Sequence, residues 1–78
     1  MSDVTLFSTT WCGHCIRLKR QMDESGISYV EIDIDENEQF GEQIVRATGG
    51  YRTVPALQIG EALLVNPSIG EVKAALAA

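Results

Sequence analysis

The 78-residue chain predicts an α/β fold: a βαβ unit, a second helix, a β-hairpin and a closing helix. Three observations carry that prediction. Strand-length apolar runs at 4–7, 28–33, 56–59 and 62–65 alternate with stretches whose apolar residues recur at helical spacing. The first two runs flank one such stretch, which makes them a parallel pair joined by a right-handed crossover. The last two are separated only by Gly60-Glu61, a two-residue hairpin turn of the Gly-X kind. The expected product is a small mixed four-stranded sheet flanked by three helices, with residues 1–78 forming a single domain.

Each element has its own signal. Val4-Thr5-Leu6-Phe7 reads as a buried strand that Ser8-Thr9-Thr10 ends. Thr10 is the expected N-cap of a helix beginning at Cys12 or Gly13. Cys15, Leu18 and Met22 form its inward stripe with Ile16 beside them, and Gly26 supplies a left-handed stop. Ser28 to Asp33 is the second strand. Asp35 to Asn37 start the second helix with acids that suit its N-terminal dipole. Phe40, Ile44 and Ala47 face inward there, and Gly49-Gly50 end it. After Tyr51-Arg52-Thr53-Val54, Pro55 stands at the first position of the third strand, where proline is tolerated. Asn66-Pro67 stops the fourth strand. Ser68 with Glu71 three residues on is a capping box, opening a last helix through Val72, Ala75 and Leu76.

Composition narrows the function classes. Forty-five per cent apolar residues describe an ordinary globule, and no apolar run approaches membrane-spanning length. The net charge is −5, with eight of the eleven acids between residues 23 and 42 and no base among them, which argues against nucleic acid as a partner. Two cysteines cannot make a disulfide scaffold. Met1-Ser2-Asp3 leads straight into the first strand without an apolar leader, so the expected location is the cytoplasm. A lone dithiol there is catalytic more often than structural.

That dithiol is Trp11-Cys12-Gly13-His14-Cys15, which holds both cysteines and the single histidine. The spacing places the two thiols on neighbouring positions of one helix face. A thiol at a helix N-terminus meets the positive end of the macrodipole, which favours a thiolate. The second thiol, one turn further in, can attack a mixed disulfide formed on the first. The pair also follows the carboxyl end of the first strand, where open α/β sheets place their reaction sites. His14 is read as an electrostatic neighbour of Cys12, and Trp11 as a shield and contact surface beside it. Zinc would want four ligands, more than this loop supplies. Haem attachment fails because Ile16, not histidine, follows Cys15.

Three blocks of sequence carry a family likeness. They are Thr10-Trp11-Cys12-Gly13-His14-Cys15 with Arg17-Leu18-Lys19, Gly50-Tyr51-Arg52-Thr53-Val54-Pro55, and Asn66-Pro67-Ser68 with Glu71-Val72-Lys73. With them the chain resembles the glutaredoxin-type members of the thioredoxin superfamily over nearly its whole length, and among these the mycoredoxins of actinobacteria. The resemblance implies the thioredoxin/glutaredoxin fold and a thiol–disulfide oxidoreductase that reduces mixed disulfides between proteins and a low-molecular-weight thiol. Cys12 would be the nucleophile and Cys15 the resolving thiol. Pro55 would follow a cis peptide bond facing the dithiol, leaving the Val54 backbone to pair with a client strand. Thr53, Arg52, Asn66 and Ser68 would line the groove for the small thiol. Arg52 would meet an anionic group, and the last helix N-terminus a carboxylate or a sugar oxygen.

The departures from the family pattern shape the expected co-substrate. Glutaredoxins commonly carry Cys-Pro-Tyr-Cys and a lysine three residues before it, where this chain has Gly13, His14 and Thr9. Their Gly-Gly-x-x-Asp glutathione site is replaced by Asn66-Pro67-Ser68. The expectation therefore moves from glutathione towards a mycothiol-type thiol. Alternatives are a general thioredoxin-like protein-disulfide reductase, including a ribonucleotide reductase donor, and a dimeric glutaredoxin bridging an iron–sulfur cluster. The implied partners are thiolated or disulfide-bonded client proteins and the small-thiol pool with its reductase. No metal, bound cofactor, nucleic acid or membrane is expected, and the protein is expected to be a monomer.

Overall fold

The structure, a computed structural model, describes residues 4–50 and 53–77. Along the chain run β1 (Val4–Ser8), α1 (Gly13–Glu24), β2 (Val30–Asp33), α2 (Glu38–Thr48), β3 (Ala56–Ile59), β4 (Ala62–Val65) and α3 (Ile69–Ala77). The four strands form one sheet in the order β2-β1-β3-β4. β1 lies parallel to β2, with Thr5 opposite Val30, and antiparallel to β3, with Leu6 opposite Leu57. β3 and β4 form the hairpin, Ile59 opposite Ala62. Its turn has positive φ at Gly60 (+58°) and not at Glu61, as a Gly-X turn requires.

Alternation along the central strands divides the core between the two faces of the sheet. Val4, Leu6 and Leu57 pack with Leu18 and Met22 of α1 and Val72 of α3. Phe7 and Ala56 point the other way, against Ile34 and Ile44, with Phe40 half-buried beside them. The Phe7 and Phe40 rings lie 5.5 Å apart, tilted by 30°. Both faces of β1 and β3 are thus covered, which holds the end of β1 rigid where it delivers the chain to Cys12.

The helix ends differ from expectation in instructive ways. The N-cap of α1 is Cys12 rather than Thr10: its sulfur accepts the Cys15 N–H at 3.3 Å. The C-terminus is a Schellman motif, with Gly26 at φ +71°, its N–H on the Asp23 carbonyl and the Ile27 N–H on the Met22 carbonyl. α2 begins at Glu38, not within 35–37. Asp33 captures those residues instead, its carboxylate taking the Asp35 N–H and its carbonyl the Glu36 N–H and the Asn37 side chain. That local competition withholds them from the helix. The inward stripe of α2 runs through Phe40, Gly41, Ile44 and Thr48, leaving Ala47 exposed. In α3 it runs through Ile69, Val72 and Ala75, and Leu76, about 100° further round, is exposed. β2 is shorter than the expected run from Ser28, because its pairing with β1 starts at Val30. The capping box of α3 forms in both directions: Ser68 N–H to Glu71 Oε1 at 3.0 Å, Glu71 N–H to Ser68 Oγ at 3.1 Å.

Candidate functional site

The site is built where β1 turns into α1. Buried Ser8, the last residue of β1, donates its hydroxyl to Glu31 Oε2 at 2.6 Å, and Lys19 Nζ reaches the same oxygen at 2.9 Å. β1, β2 and α1 are tied together beneath the cysteines in this way, and the Ser8 hydroxyl and Lys19 hold the Glu31 carboxyl below the usual carboxylate range. Thr9, also buried, accepts the Cys12 N–H on its carbonyl at 3.4 Å. Its hydroxyl is buried without a hydrogen-bond partner.

The two sulfurs occupy unlike positions. Cys12 has extended backbone (φ −88°, ψ 111°), the shape an N-cap needs. The residue is buried, with 6% exposure left; its sulfur accepts the Cys15 N–H and donates its own S–H to the Val54 carbonyl at 3.8 Å. Cys15 is fully buried. Burial pushes its thiol up to about 12, the hydrogen bond to Cys12 adds to that, and the Thr9 backbone and Lys19 offset part of it. One thiol therefore caps the helix N-terminus with a trace of exposure, and the other is a neutral, fully buried thiol one turn below. Such a pair can exchange disulfides through the outer sulfur.

The Val54–Pro55 peptide bond is cis, the geometry that the family likeness implied. Pro55 is buried, and its carbonyl takes the Asn66 N–H at 2.7 Å, binding the start of β3 to the end of β4. Asn66 has φ +49°, a left-handed conformation that asparagine tolerates better than most residues. Beside this joint lies a cleft of about 300 Å³ between α1 and the entry to α3. It gathers His14, Pro55, Asn66 and Ser68 from the sequence-derived set, and adds Arg17, Leu18, Gln21, Pro67, Ile69 and Glu71. The additions from α1 had a signal in the sequence: positions 14, 17, 18 and 21 share one helical face.

Of the remaining candidates, those among the described residues lie outside that cleft. Trp11 is 72% exposed, its indole N–H donating to Asp35 Oδ2 at 2.9 Å. Thr53 is half-buried and Val54 meets the Cys12 sulfur rather than the cleft. Arg52, with Tyr51, lies outside the described residues. Among the described residues, no three His, Cys, Asp or Glu side chains gather as a metal site, and no helix is long and apolar enough to cross a membrane.

Comparison with known proteins agrees with this geometry. The family model for glutaredoxins matches residues 4–64. A Mycobacterium tuberculosis protein carrying the glutaredoxin name is 42% identical over 74 residues, covering 94% of this chain and 88% of its own. Mycoredoxin 1 of Corynebacterium glutamicum is 35% identical over 79 residues, covering 100% of this chain and 98% of its own. Among solved structures, a glutaredoxin from Archaeoglobus fulgidus superposes with a TM-score of 0.82, covering 100% of this chain and 89% of its own; at 20% identity it shows the thioredoxin/glutaredoxin fold alone.

Proposed function

We propose, since the chain belongs to the glutaredoxin family of thiol–disulfide oxidoreductases that take a small thiol as co-substrate, that it reduces mixed disulfides between proteins and a mycothiol-type thiol. The asymmetry of the two sulfurs carries this reading: Cys12 caps the helix and keeps a trace of exposure, while Cys15 is fully buried and holds its proton to about 12. The full-length likeness to mycoredoxin 1 points the choice of thiol the same way. Residues 1–78 act as a single cytoplasmic domain and as a monomer.

In the proposed cycle the Cys12 thiolate attacks the small-thiol sulfur of the mixed disulfide. That S–S bond breaks, the client leaves as a thiolate and takes a proton, and the small thiol stays on Cys12. A second small thiol, as thiolate, attacks the small-thiol sulfur, regenerates Cys12 and departs as the symmetrical disulfide, which its reductase recycles. Helix N-cap donors stabilise the sulfur anion each time it forms. The Val54 backbone, already facing Cys12, pairs with the extended client segment. Thr53 and Arg52 extend that contact, and Trp11 shields the exchange from one side. His14, Pro55, Asn66 and Ser68 flank the small thiol in the cleft. Cys15 is spared for client disulfides in which both sulfurs belong to protein.

The test is one peptide joined in turn to glutathione, mycothiol and bacillithiol, each assayed with its matching reductase. The mycothiol substrate is expected to turn over fastest. Equal or faster turnover of the glutathione substrate would contradict the assignment, and activity confined to protein disulfides would point to a thioredoxin-like reductase.

A further inference from the structure

To attack a disulfide Cys15 must become a thiolate, and its surroundings oppose that form. The side chain is fully buried, and burial is the largest influence raising its thiol to about 12. A thiol of that kind is ionised in only about one molecule in 10⁵ at neutral pH. A fixed positive charge near the sulfur is the direct remedy.

Lys19 supplies one. It follows Cys15 by four residues on α1, the spacing that sets two side chains on adjacent turns of one face. Long helical side chains lean towards the preceding turn, which for position 19 is the turn that holds Cys15. The ammonium is fixed in place. Its Nζ donates to Glu31 Oε2 at 2.9 Å, and the same oxygen takes the Ser8 hydroxyl at 2.6 Å. Ser8 shares with Leu6 the face of β1 that packs on α1, and Glu31 stands opposite Leu6 on β2. The ion pair therefore lies between helix and sheet, its side chains 30% and 39% exposed. Cys15 and Lys19 act on each other across this arrangement. Lys19 pushes the Cys15 thiol down against burial, and Glu31 first, then Cys15 in smaller part, hold Lys19 up.

Resting on the reading that Cys15 resolves client disulfides in which both sulfurs belong to protein, we propose that Lys19, braced by Glu31 and Ser8, is a positioning residue for that step. Cys15 loses its proton, and its thiolate attacks the Cys12 sulfur of the tethered intermediate. The Cys12–client bond breaks, the Cys12–Cys15 disulfide forms, and the client sulfur leaves as a thiolate that takes up a proton. The ammonium favours the Cys15 anion on which this attack depends. Exchange of a small thiol on Cys12 does not pass through Cys15 and does not call on Lys19.

Lys19→Gln removes the charge and leaves an amide N–H that can donate to Glu31; Lys19→Arg keeps the charge. The probes are a protein with one internal disulfide, followed by acid quench and mass spectrometry in a single turnover, and a peptide–mycothiol mixed disulfide. A tenfold smaller thiolate fraction, partly offset by the greater nucleophilicity of a more basic thiol, slows attack about threefold. Lys19→Gln is therefore expected to close the Cys12–Cys15 disulfide about threefold more slowly and to accumulate the tethered species. Its turnover of the mixed disulfide should match the wild type, and Lys19→Arg should restore closure. Closure at the wild-type rate in Lys19→Gln overturns the proposal alone. So does an equal fall in both activities with a lowered melting temperature, or a folded Lys19→Arg as slow as Lys19→Gln, since either makes the role structural. Reduction of the internal disulfide at the wild-type rate by Cys15→Ser overturns the resolving role and this proposal together.

Discussion

Cys15 keeps its proton to about 12 in the folded chain against 9.0 for an unperturbed thiol, chiefly because burial disfavours the thiolate. Between those values the unfolded chain has released the proton and the folded chain has not. The unfolded state therefore binds fewer protons, and stability falls as pH rises, by at most about 1.4 kcal/mol per pH unit for one such group. Below pH 9.0 both states hold the proton and the contribution is complete. The melting temperature of the reduced protein should drop between pH 9 and 12, and Cys15→Ala should show a shallower drop across the same window. Parallel slopes in the two proteins would mean that Cys15 does not carry the effect. The sequence marked this residue as the inner thiol by its spacing alone. It did not show that Cys12 would cap the helix with its own sulfur, since cysteine is not among the preferred capping residues and Thr10 is. Nor does any local pattern show that Glu71 and Gln21, distant in the chain, share a cleft.

The helices owe their limits to single residues at their ends. Gly26 has φ +71° with open space where a Cβ would go, so an alanine there meets backbone strain and no collision. Gly26→Ala should cost about 1–2 kcal/mol, and Gly26→Asn clearly less, because asparagine enters the left-handed region more readily. Equal losses from chemical denaturation of the two variants would contradict the Schellman assignment. Glycine stops and the Ser68/Glu71 box were readable because they depend on residues a few positions apart. The start of α2 was not, because Asp33 competes for residues 35–37 and nothing in the helical periodicity records that competition. Its inward face was read rightly at Phe40 and Ile44 and wrongly at Ala47: Gly41 is buried without adding any apolar signal, so Ala47 looked the better candidate.

For the whole molecule, the order of elements sufficed to predict the mixed sheet, since a crossover helix demands parallel strands and a two-residue turn demands antiparallel ones. The assembled fold adds a difference in surroundings between the two sulfurs that spacing alone does not establish: Cys12 caps α1 with 6% exposure and Cys15 has none. In the proposed cycle a small thiol on Cys12 is open to attack by a second small thiol from solution. A client protein tethered to Cys12 excludes solution thiols, and attack by Cys15 then gains the effective concentration of an intramolecular reaction. The decisive measurement is turnover of a small-thiol mixed disulfide and of a protein's internal disulfide by Cys15→Ser, with mass spectrometry of the trapped species and Cys12→Ser as the inactive control. Cys15→Ser should keep most of its activity on the mixed disulfide, carry one small thiol on Cys12, and stall on the internal disulfide as a tethered complex. Loss of both activities in Cys15→Ser would contradict the proposed small-thiol cycle and place the chemistry with a thioredoxin-like dithiol mechanism.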